Sequence, residues 1–152
     1  MTVSTISISK ATSGNGSTTS FPYDYKILEA TDLQVIIRSA TGAETIKATS
    51  TYTVTGVGAD SGTIVFNSSN VPASGETVVV RRNVPQTQAI DYIANDPFPA
   101  ETHEEGLDRA TMVAQQVGEE SDRSIKLSRT NTMTSTEFTV GATERAGKIL
   151  AF

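Results

Sequence analysis

The chain contains no cysteine and no tryptophan, and aromatic residues make up only 6% of it. Without cysteine there is no disulfide framework and no thiolate metal site. With so few aromatics, any core must be modest and built largely from Val, Ile and Thr. Histidine occurs once, at His103, so a single chain offers neither a histidine pair for a metal nor a Ser-His-Asp triad. Twelve basic residues against seventeen acidic ones give a net charge of −5 with no basic stripe, which argues against nucleic acid as a partner. No run of about 18 apolar residues exists, nor a charged amino-terminal region followed by an apolar one, so neither a membrane span nor a secretory signal is visible.

What is present divides into a β-like front and one helical stretch. Residues 1–20 are Ser/Thr/Gly-rich and nearly uncharged, with Ile6 and Ile8 as a short alternation. That alternation suits an edge strand, but the stretch as a whole reads as a flexible arm that a partner would have to order. From 21 to 95 the pattern is β. Phe21, Tyr23, Tyr25 and Ile27 share one side of an extended chain, with Pro22, Asp24 and Lys26 on the other. Further strands are expected at 33–38, 44–48, 52–57, 63–66 and 77–82, separated by turn residues at ten- to twelve-residue spacing. Five or six such strands predict a small antiparallel sandwich or barrel.

The chain changes habit at Asp96–Leu127. Phe98 precedes a proline and Pro99 has no N–H to lose, so a helix is expected to start near Pro99; Thr102 with Glu105 offers a competing start as a capping box. Glu105–Arg109, Glu119–Arg123 and Asp122–Lys126 are acid-before-base pairs at four-residue spacing, which supports the helix locally. One sector collects Gly106, Leu107, Ala110, Val113, Ala114, Val117 and Ser121, and the opposite sector is charged or amide-bearing. His103, Leu107, Ala110, Ala114, Val117, Ser121 and Ser124 alternate steps of four and three, the spacing of a coiled-coil seam. Gly106, Ala110, Ala114 and Gly118 make a row of small residues. Close approach of another backbone would explain it, and tolerated weakness in a frayed helix is the plainer account. Self-association is preferred over docking of this face on the chain's own sheet. Residues 128–136 read as a polar linker, and 137–152 as two fresh strands ending on an apolar run, which suggests the front part of a longer protein.

No catalytic residue, cofactor site or metal site is expected. Glu101, Glu104, Glu105 and Asp108 are crowded, but acids are favourable on the first turns of a helix, so a solvated face is the default. Three copies of His103 near a common axis would offer an ion site, although a residue at a helix start with no ligand role is the simpler assignment. Gly56, Gly58 and Gly62 miss the dinucleotide fingerprint and suit a hairpin loop. Arg81 and Arg82 point to opposite faces of a strand, so they form no phosphate clamp, and at least one should pair with an acid. Asn15 and Asn67 match a glycosylation pattern with nothing to route the chain to a glycosylating compartment. Met112 is the one apolar residue on the polar helix face, where it would mark contact with the sheet domain or a partner.

Several runs together resemble a known family: FPYDYKILEATDLQVIIR, YTVTGVG, GTIVF, and VVVRRNVPQTQAIDYIANDPFPAETHEEGLDRATMVAQQ. From about Phe21 to Leu127 the sequence is similar to the amino-terminal virion-anchor domain of tail fibres and tailspikes of tailed, podovirus-type bacteriophages. The resemblance implies a mainly β domain followed by a trimeric, coiled-coil-like helical core that begins the shaft. It implies a homotrimer and a non-enzymatic structural role in the virion tail after assembly in the host cytoplasm. The partners implied are tail adaptor or nozzle proteins, with no nucleic acid and no membrane. Host adsorption would run through a distal region, where receptor binding or glycan cleavage resides. The trimer interface would fall on Gly106, Leu107, Ala110, Val113, Ala114, Val117 and Ser121. A rival of another class is a glycan-binding β-sandwich that meets the host surface directly, but sugar sites favour exposed aromatic platforms and this chain is poor in them. A hydrolase lacks a credible acid pair or nucleophile.

Overall fold

A computed structural model describes residues 3–88, 90–91, 99–124, 126 and 129–130. The seven strands among them are β1 (Ser9–Ser13), β2 (Ser20–Tyr23), β3 (Leu33–Arg38), β4 (Glu44–Ile46), β5 (Tyr52–Thr55), β6 (Gly62–Phe66) and β7 (Thr77–Arg82), followed by one helix, α1 (Ala100–Asp122). They form two antiparallel sheets, one in the order β1-β7-β3-β4 and one in the order β2-β6-β5. The expected fold class, mainly β with antiparallel sheets and then one long helix, is what the chain adopts. The strands expected at 137–152 lie outside the described residues.

Period-two alternation decides which side chains go inside. In β3, Leu33, Val35 and Ile37 are buried, and in β7 Val78, Val80 and Arg82 are buried with Thr77, Val79 and Arg81 half-buried between them. The smaller sheet contributes Phe21, Tyr23, Tyr52, Ile64 and Phe66 to the same core. Phe66 is met edge-on by Phe21, with ring centroids 5.7 Å apart, and by Tyr52 at 6.1 Å, so one aromatic cluster fills much of the space between the sheets. Pro22 is tolerated because β2 is an edge strand and a missing N–H costs it little there. Beyond β2 the alternation continues without ladder pairing. Tyr25 and Ile27 are fully buried, and Lys26 between them turns the opposite way.

Part of the stretch expected to be a loose arm is sheet. Residues 9–13 pair along their whole length with β7, from Ser9 opposite Arg81 to Ser13 opposite Thr77, and Ile8 is buried. A polar Ser/Thr strand too poor in apolar side chains to fold by itself is ordered here by backbone hydrogen bonds to a neighbour from its own chain. The glycine loop after β5 is a hairpin. Gly56 and Gly58 take positive φ, and Gly62 lies so close to the Tyr23 ring that an added Cβ would sit 2.2 Å from its hydroxyl.

Two tyrosine hydroxyls are satisfied inside. Tyr23 donates to the Thr55 carbonyl at 2.5 Å within the smaller sheet, and Tyr25, just beyond β2, donates to the Val80 carbonyl of the larger sheet at 2.8 Å. Burial pushes Tyr23 up to about 12 and raises Tyr25 and Tyr52 as well. A phenol ionises near 10 in the unfolded chain, so the folded state holds protons there that the unfolded state has lost. The stabilisation from these neutral phenols is therefore complete below about pH 10 and is lost as pH rises through the folded values. In an ultraviolet titration, Tyr23, Tyr25 and Tyr52 are expected to ionise together, in the same cooperative step as loss of β circular dichroism. Independent ionisation of all three near pH 10 without unfolding would contradict this packing.

Candidate functional site, a helix held by its polar face

Helix α1 begins at Ala100 with Pro99 as its N-cap, so the proline signal sets the start and Thr102 lies inside the first turn. Its three expected i,i+4 ion pairs form, with Glu105 3.7 Å from Arg109, Glu119 2.5 Å from Arg123 and Asp122 2.6 Å from Lys126. At about 1.5 Å per residue, its 23 residues span roughly 35 Å.

The helix lies across the end of the sandwich where β3 begins and β7 finishes. Asp108, Arg109, Met112 and Gln116 are buried there. Asp108 accepts from the Lys26 ammonium at 2.6 Å, both side chains being only 7% exposed. Arg109 pairs with Glu29 at 3.0 Å and stands 3.8 Å from Asp32. Gln116 Oε1 accepts from the Val84 N–H at 2.9 Å. Arg81 and Arg82 leave β7 on opposite sides, as alternation requires, and both end at the helix. Arg81 bonds Glu120 and approaches Glu119, while Arg82 donates to the Gln115 amide oxygen and, at 3.2 Å, to the Lys26 carbonyl. The Arg82 guanidinium also sits 5.9 Å from the centre of the Tyr25 ring. Its hydrogen bond to Arg81, more than the charge itself, holds the Glu120 carboxyl below its usual range, whereas burial lowers the Arg82 guanidinium. At the centre of this ring of polar contacts Met112 is fully buried.

Two expectations change here. The acidic face is not simply solvated, because Asp108 is a buried partner of Lys26; charge at a first-turn position was sufficient reason for an acid, and it concealed a second role. Nor is the choice between docking and self-association exclusive. The helix does dock on its own sheet domain, but through the polar face. Val3 and Thr5 are held by the same helix, since the Val3 N–H donates to Asp108 at 3.2 Å and Gln115 Nε2 donates to the Thr5 carbonyl at 3.1 Å.

The seam residues are left on the outside. None of Gly106, Leu107, Ala110, Val113, Ala114, Val117 and Ser121 is among the buried residues, and Leu107 and Val117 are 58% and 51% exposed. Gly106, Leu107, Ala110 and Val113, together with His103, form one wall of a groove of about 520 Å³. Its other wall is the strap that follows β7, residues 86–88 and 90. This strap was not marked as a site by the sequence, since QTQ carries neither charge nor apolar period. No group of three metal-ligating side chains occurs among the described residues, and no helix among them is long and apolar enough to cross a membrane.

The docking contacts can be tested by substitution. Asp108→Ala removes the carboxylate that the buried Lys26 ammonium contacts and is expected to lower stability by about 3–5 kcal/mol in chemical denaturation. Replacing both partners, as in Lys26→Met with Asp108→Leu, is expected to recover most of that loss. If Asp108→Ala proves neutral, the pair is not buried as described.

No family model matches the chain. Among curated proteins it is similar to the tail spike protein of Salmonella phage epsilon15, 41% identical over 120 residues. That match covers 77% of this chain and 11% of the phage protein, so the chain spans about a ninth of the relative's length. The similarity is thus to one portion of a phage tail spike protein.

Proposed function

We propose that this chain is a non-enzymatic structural part of a phage tail spike, at the end of the spike that joins the virion. Similarity to a tail spike protein implies a component of the virion tail. In this reading the β-sandwich and the residues before it attach to adaptor or nozzle proteins of the tail. Helix α1 joins three chains at the start of the shaft. Receptor binding or glycan cleavage, the steps of host adsorption that meet the cell, belongs to other parts of such a spike. Neither nucleic acid nor membrane is a partner, and assembly takes place in the host cytoplasm.

The observation that carries this reading is the rotational setting of α1. The middle of its polar face, at Asp108, Arg109, Met112 and Gln116, is buried against the sandwich, while none of the residues with coiled-coil spacing is buried. A helix that served only its own domain would turn its Leu and Val side chains inward. This one turns Leu107 and Val117 out. The aromatic supply weighs against direct sugar binding, since all five described aromatics, Phe21, Tyr23, Tyr25, Tyr52 and Phe66, are buried in the core.

Ala110→Glu or Ala114→Glu places a charge in the seam without touching the docked face. Either is expected to reduce the particle from three times the 16.1 kDa chain mass to a single chain, with the β circular dichroism unchanged. An unchanged trimeric mass in both variants would exclude the seam as the interface.

A further inference from the structure

The open side of α1 has a shape as well as a polarity. Written as heptads, Leu107, Ala114 and Ser121 fall at a, and His103, Ala110, Val117 and Ser124 at d. The sandwich-docked residues Asp108, Arg109, Met112, Gln115 and Gln116 then fall at b, c and f, the three positions that point away from a seam. In a parallel bundle an a-position knob at residue i enters a hole made by residues i−4, i−1, i and i+3 of the facing helix. For Leu107 that hole is His103, Gly106, Leu107 and Ala110. All four line the 520 Å³ groove.

The second wall says which copy would enter. The strap flanks the side of α1 that carries Gly106 and Val113, the g positions, whereas Thr111 and Gly118 on the e side are exposed. The groove is therefore one-sided, as in a head-to-tail contact that closes into a ring when three helices run parallel. Among the described residues its walls carry one formal charge, that of Arg109, whose guanidinium is turned towards Glu29 and Glu105. The edge that a second copy would present, Leu107, Thr111 and Ala114, is uncharged too.

We infer that this groove receives α1 of a second copy of the chain, with that copy's Leu107 in the hole and its Thr111 edge against the strap at Gln86–Gln88. The inference rests on the proposed trimer and adds to it a surface outside the helix. The subunit interface then has two parts, the seam and the strap, and Gly106 is small because a side chain there would fill the space the neighbour needs.

The absence of cysteine makes the test direct. A chain carrying Thr87→Cys and Thr111→Cys, treated with a short bismaleimide, is expected to give covalent dimers and trimers on a denaturing gel, and either single substitution alone is expected to give none. Gly106→Leu is expected to turn the trimer into a monomer while the helical circular dichroism stays the same or grows, since leucine is the better helix former. A trimeric mass with no Thr87–Thr111 product, or a Gly106→Leu chain that remains trimeric, overturns the strap as an interface and leaves the trimeric reading standing. A monomeric unsubstituted chain overturns both.

Discussion

The buried contact between Lys26 and Asp108 sets the phase of the helix, and most of what the molecule presents to its surroundings depends on that phase. An ion pair taken out of water adds little net stability, because desolvation offsets much of the attraction. Its contribution is directional. Turning α1 by one residue, 100° about its axis, would carry Asp108 away from Lys26 and break the buried ion pair. Gln116 on the Val84 N–H and Arg109 on Glu29 repeat the constraint along the helix. A joint built from leucines would tolerate several rotations, and it would compete with the seam for the same apolar side chains.

The sandwich is shaped to offer these partners. Asp32, almost fully buried, accepts from the Leu28 and Glu29 N–H groups at 3.2 and 2.9 Å and so fixes the loop that carries Lys26 and Glu29. Across the sheet, Arg82 stands opposite Leu33 in the register between β7 and β3, which brings the arginines to the same end. The polar joint is thus a property of strand ends, where alternation still controls direction but the core has run out of depth. The helix ends at Asp122, soon after the last residues to touch the sandwich, Glu119 and Glu120. Around that end Ser121, Asp122 and Ser124 are exposed and are weak helix formers, so neither burial nor propensity favours further turns there.

Much of this was legible in the residues. The inward set Phe21, Tyr23, Tyr25 and Ile27 followed from period two, the hairpin at Gly56–Gly62 from its glycines, and the helix start from Pro99. The face with three-four spacing was marked out as a sector of its own, and none of its residues from Gly106 to Ser121 is buried in the single chain. Met112 was the one visible hint that the polar face had a partner. The rest could not be read because it depends on pairs far apart in sequence. Lys26 and Asp108 are 82 positions apart and look, singly, like ordinary surface charges. Strand β1 was obscured by its composition, since a Ser/Thr run signals flexibility unless a partner strand is known. The strap carries no pattern at all and becomes a wall only when the helix is placed beside it.

The claim at the centre of this account is that one face of α1 is held by its own sandwich while the opposite face is left for other copies. Thiol reactivity of single cysteines placed along the helix tests it most directly, because the native chain contributes no background. Cysteines at positions 112 and 116 are expected to be protected at every protein concentration, and those at 107, 110, 114 and 117 to become protected only as the chains associate. Protection of the second set in dilute monomer, or free reaction of the first, would mean that the helix docks the other way round.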